Sequence, residues 1–144
     1  MIATLRQLLL KAAWAPISVL VFHAIIAKTD LRHPLDFTVH FSGGAAIAFF
    51  LFEALSSFEL MLGTLKPLGR YLFSFALACT VGLFWEFAEL LSDVFRHTHI
   101  QQSLTETMSD LIADSTGAIA SLLLVFLIRQ FCSTVKRPGT LLPP

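Results

Sequence analysis

Charge is what this sequence has least of. Only 14% of its 144 residues are Asp, Glu, Lys or Arg, against roughly 25% in soluble globular chains. Ten basic and ten acidic residues cancel. A nucleic-acid partner is held by a basic face, so this balance argues against one. Cysteine is scarce as well. Cys79 lies inside an apolar run and Cys132 at the end of another. Two residues so placed form neither a disulfide framework nor a zinc-ligand spacing, and they read as free thiols. A Ser-His-Asp spacing, a phosphate-cradling glycine loop and an HExxH helix are also missing. No specific reaction is indicated, and the sequence leaves open whether the protein is an enzyme.

Apolar residues are what is abundant, at 56% of the chain, and the mean hydropathy is +0.75. The reading is a single all-α domain over residues 1–131, a compact bundle of four transmembrane helices. The spans fall at about 8–27, 37–58, 68–91 and 110–131. Each is close to the ~20 residues that a bilayer crossing needs. The first run also has the outline of a cleaved signal peptide, although His23 interrupts it. Polar connectors separate the runs. Lys28 to Asp36 contains Pro34, which disfavours helix at His33. Gly63, Lys66, Pro67 and Gly69 mark a turn. Residues 132–144 carry Lys136, Arg137 and three prolines and read as a disordered cytoplasmic tail.

Basic residues orient the spans. Both termini and the middle connector share Arg6, Lys11, Lys66, Arg70, Arg129, Lys136 and Arg137. The other side holds Lys28, Arg32 and Arg96. The expectation is a multi-pass protein of the cell inner membrane with both termini in the cytoplasm.

The acids stand out against this background. Glu86, Glu89 and Asp93 lie at the end of an apolar run, spaced three and four apart, so they share a helical face. Ionisable groups in a span need partners or water. The topology places them at the outer end, level with His23, His40, Asp110 and Asp114. The candidate polar cluster is His40, Glu86, Glu89, Asp110 and Asp114. Asp93 fits a solvated helix end equally well. Asp110 and Asp114 would occupy the first turns of the last span, where the helix dipole favours acids. Thr105, Thr107 and Ser109 are the caps on offer there. Glu53 stands thirteen residues past His40, about 20 Å deeper along a helix.

His40, Glu86, Glu89 and Asp110 supply one imidazole and three carboxylates. Such a set suits a divalent metal ion such as zinc, manganese or magnesium. The small residues Gly43, Gly44, Ser115, Gly117 and Ala118 let helix backbones approach closely.

Three stretches together carry a family resemblance. They are His40-Phe41-Ser42-Gly43-Gly44, Trp85-Glu86-Phe87-Ala88-Glu89, and Glu106 to Leu111 running into Asp114-Ser115-Thr116-Gly117-Ala118. Over about residues 36 to 120 the chain resembles the VanZ-like superfamily and related small, uncharacterised bacterial inner-membrane proteins. The resemblance implies several spans with the polar motifs gathered on one side. Some members are associated with resistance to glycopeptide antibiotics of the teicoplanin type, and no settled activity comes with the family. Carried over by position, the motif residues are His40, Glu86, Glu89, Asp110 and Gly117. Relatives usually have Asp where Glu106 stands and often Asn where Asp114 stands.

The expected function is therefore a membrane protein with a polar site at the outer face. That site would bind a divalent cation or a cell-envelope, lipid-linked ligand. Membrane lipid, a lipid-linked envelope precursor and a second copy of the chain are the expected partners. A small proton-linked transporter, with Glu53 as its inner station, and a non-catalytic membrane scaffold are the alternatives.

Overall fold

A computed structural model describes residues 2–29, 31–101 and 103–135. All of its regular structure is helical: α1 (Ile2–Ala12), α2 (Trp14–Ile26), α3 (Arg32–Ser57), α4 (Glu59–Leu62), α5 (Pro67–Arg96) and α6 (Leu104–Val135). Three of these, α3, α5 and α6, are long and apolar enough to cross a membrane. The pair α1 and α2 makes a fourth if the two are taken as one broken span.

The break has a simple cause. Proline has no N–H, and its ring collides with the carbonyl four residues earlier. Pro16 therefore cannot donate to the Ala12 carbonyl as a continuous helix requires, and the axis turns by 52° between α1 and α2. The flanking bonds survive, with Ala13 N donating to Leu9 O and Ile17 N to Ala13 O, each at 3.2 Å.

Helix α3 is central and packs against α1, α2, α5 and α6. It begins at Arg32, so Pro34 sits in its first turn. First-turn N–H groups have no intrahelical partner, and proline loses nothing there. Asp36 is thereby a helical residue, not part of a connector. Helix α6 likewise starts early. Ser103 Oγ accepts the Glu106 N–H at 3.1 Å and caps it. Thr105, Thr107 and Ser109 lie inside the helix, and Asp110 and Asp114 stand in its second and third turns. First-turn dipole stabilisation does not account for them, since that effect fades within one turn.

The apolar core lies in the middle of the bundle. Ala48, Phe52, Ala78, Ala118 and Leu122 are buried together, with Tyr71, Phe75 and Val125 packed against them. The outward faces are also apolar: Leu72, Phe73, Leu123, Leu124 and Phe131 are all exposed. A helix that is hydrophobic on its outside is built for lipid. Two small residues set the α3–α6 distance. A Cβ on Gly44 would overlap the Asp114 carbonyl, and one on Gly117 would overlap the Phe41 carbonyl. The two backbones touch at these points, as small residues in membrane helices permit.

Candidate functional site

The contact at Gly44 and Gly117 fixes which faces of α3 and α6 meet. On α3, Asp36 and His40 are four residues apart. On α6, Asp110 and Asp114 repeat the spacing. Each pair shares a helical face, and the close contact turns the two faces together. Asp36, His40 and Asp110 each offer a ligand atom, and these atoms all lie within 4.8 Å of one another. His40 and Asp110 are buried and Asp36 is half-buried.

Helix α5 closes the group from a third side. Glu86 Oε1 lies 3.9 Å from His40 Nδ1. Asp114 Oδ2 lies 3.5 Å from the same nitrogen. Both separations exceed the ~2.7–2.9 Å of a charge-assisted N–H···O bond. The carboxylates surround the imidazole without closing on it. Glu86 is 3% exposed, yet its Oε1 makes no hydrogen bond among the described residues. An unsatisfied buried carboxylate oxygen is costly and calls for an explanation. Gly82, one turn before Glu86, makes room for Asp114, because a Cβ there would meet Asp114 Oδ2 at 2.5 Å.

A latch beyond the end of α5 holds Glu86. His97 ends the helix in the left-handed conformation, with φ of 53°. The chain then folds back over Asp93. Asp93 Oδ1 accepts from Thr98 Oγ1 at 2.6 Å and from the Ile100 N–H at 2.8 Å. Oδ2 accepts from the Gln101 N–H at 2.9 Å. The pinned loop aims Gln101 at Glu86, where Nε2 donates to the backbone carbonyl at 3.1 Å and to Oε2 at 3.2 Å. Asp93 is thus a loop anchor that acts on the site through Gln101.

The structure brings His40, Glu86, Asp110 and Asp114 together. Glu89 is not one of the three residues of the Asp36–His40–Asp110 group. Its Oε1 accepts from Trp85 Nε1 at 3.0 Å, and Trp85 packs edge-on against His23 with ring centroids 5.3 Å apart. Glu89, His23, Ala27 and Ser92 line an opening of about 250 Å³. Asp36 is the residue that sequence reasoning missed, through its assignment to a connector. Its signal was the Asp-x-x-x-His spacing to His40, identical to that of Asp110 and Asp114. Gln101 had no signal, because its place depends on the loop.

Glu53 lies at the other end of the bundle in different company. Lys11 Nζ is 2.6 Å from its Oε2, and Arg129 Nη2 is 3.5 Å from its Oε1. The Arg129 guanidinium also stacks 4.6 Å from the Phe52 ring centroid. Arg70 pairs with Glu59 nearby.

The family described as Predicted membrane protein (DUF2238) matches residues 9–131. The chain belongs to that family. No curated protein and no solved structure matches it. The DUF2238 match takes in every residue of the cluster from Asp36 to Asp114, together with Lys11, Glu53 and Arg129.

Proposed function

We propose that this membrane protein holds a divalent cation at the outer face of the bacterial inner membrane. The observation that carries the reading is the Asp36–His40–Asp110 group, with three ligand atoms within 4.8 Å. Glu86 Oε1, buried without a hydrogen bond beside His40, is a further oxygen that a cation or a proton would satisfy. One imidazole with several carboxylates suits manganese or zinc. The slack around His40 Nδ1 leaves space for an ion among the acids.

Orientation follows from charge. Lys11, Arg70 and Arg129 gather at the Glu53 end, which is therefore cytoplasmic. The helix ends that carry Lys11 and Arg129 lie on that side, and the His40 cluster faces out. The paired state of Glu53 supports a cation site over a proton relay, because its two cations make it a tether between helices.

The test is metal binding by the detergent-purified protein after chelator stripping. One Mn²⁺ or Zn²⁺ per chain is expected by equilibrium dialysis, and none in His40→Ala or Asp110→Asn. Equal uptake by all three proteins, or none by the wild type, would sink the reading.

A further inference from the structure

Beside the cluster lies a cavity of about 260 Å³. Pro16, Val19 and Leu20 of α2 form one wall, and Ala78 and Val81 of α5 the other. His40 and Asp114 stand in its floor, where Gly43, Gly44 and Gly82 keep the surface low. An apolar cavity of roughly 150 Å³ already stays dry and holds a benzene-sized molecule. This one has room for a longer hydrocarbon segment.

The cavity has a side entrance. The Cα atoms of α2 and α5 nowhere come within 8 Å of one another among the described residues. The His23–Trp85 ring contact bridges the gap at one level. Leu20 and Val81 are half exposed at the rim. In a membrane protein, that rim opens onto lipid chains and not onto water.

Charge selects the other end of the ligand. Asp36, Glu86, Asp110 and Asp114 carry four negative charges when ionised, and a divalent ion offsets two. Asp114 stands outside the Asp36–His40–Asp110 group and borders the cavity. A Cβ on Gly43 would lie 3.8 Å from Asp114 Oδ1, so that oxygen stands just behind an otherwise apolar lining. An anionic head would meet net repulsion, whereas an ammonium group would be attracted and hydrogen-bonded.

We propose that the cavity takes the hydrocarbon chain of a cationic amphiphile, which enters between α2 and α5 and brings its ammonium head to Asp114. The chain assignment stands on the cavity alone. The head assignment rests on the cation reading, because it takes up charge that the metal leaves.

The experiment uses the full-length protein in phosphatidylcholine nanodiscs. Diazirine-bearing octadecylamine is compared with the octadecanoic acid of the same chain, and labelled peptides are mapped by mass spectrometry. The amine should label the peptides bearing Leu20 and Val81 about tenfold more than the acid does. Val81→Trp should abolish this labelling and leave Mn²⁺ uptake intact. Leu20→Trp, from the opposite wall, should do the same and guards against a folding defect in one variant. Asp114→Asn should bring the amine down to the level of the acid.

Unchanged labelling in both tryptophan variants, or label spread over outward faces such as Leu72 and Phe84, overturns the chain assignment. An acid that labels as well as the amine overturns the head assignment. Loss of all Mn²⁺ uptake with tryptophan-sensitive labelling retained means that the cation reading has failed and the chain assignment has held.

Discussion

The two ends of α3 treat buried charge in opposite ways. Glu53 and His40 are both buried, thirteen residues apart on one helix, or about 20 Å by helical rise. At Glu53, one acid meets two basic side chains, and Lys11 closes to 2.6 Å. At His40, carboxylates from three helices surround a single imidazole, and the contacts to its Nδ1 stay at 3.5 and 3.9 Å. At the first end the acid is fully countered by its two cations, which makes it a tether for α1 and α6. The second end is short of positive charge and loosely drawn in. Buried acids in such surplus are neutralised either by taking up protons or by a cation.

The contrast breaks most directly at His40. His40→Ala should weaken Mn²⁺ binding by at least ~100-fold, about 2.7 kcal/mol, by equilibrium dialysis. Retention of affinity would mean that the acids alone hold the ion, or that none is held there.

Gly44→Ala should come next. The added methyl overlaps the Asp114 carbonyl, so α3 and α6 must separate at the His40 end. A loss of about 1–3 kcal/mol is expected from overpacking, measured by thermal unfolding in detergent, together with weaker Mn²⁺ binding. An unshifted unfolding curve would show that the helices are not so closely apposed.

Glu53→Gln tests the balanced end. Side chains of Lys11 and Arg129 are 62% and 47% exposed, and half-solvated pairs contribute little. A loss of only about 1 kcal/mol is expected, with Mn²⁺ affinity unchanged. A fall in affinity would tie the two ends together and end the distinction between them. Asp93→Asn tests the latch beyond α5. It loosens the loop that carries Gln101 and should weaken Mn²⁺ binding roughly tenfold, as loss of a supporting shell does. Thr98→Val removes one of the bonds to Asp93 and should move affinity in the same direction by less.

Much of the cluster was legible because a membrane converts chain order into depth. Once four apolar runs are counted, His40, Glu86, Asp110 and Asp114 fall at one level without knowledge of any contact. Glu89 fell at nearly the same level, but depth does not say where a side chain turns. Trp85 holds it, four residues back on its own helix. Asp36 was obscured by Pro34, which reads as a connector residue and is equally at home in a first helical turn. The early start of α6 was hidden because residues 104–109 are mostly polar, and hydropathy cannot separate a helix that projects beyond the bilayer from a loop.

The sequence by itself determined the all-helical class, the apolar spans and the level at which the acids lie. Those follow from composition and from the fixed rise of a helix, which are local properties. Only the tertiary structure decided that α3 and α6 meet at Gly44 and Gly117, that Asp36 and Asp110 flank one histidine, and that Gln101 reaches back to Glu86. Helix rotation and loop path set these, and both depend on how side chains from distant parts of the chain pack against one another.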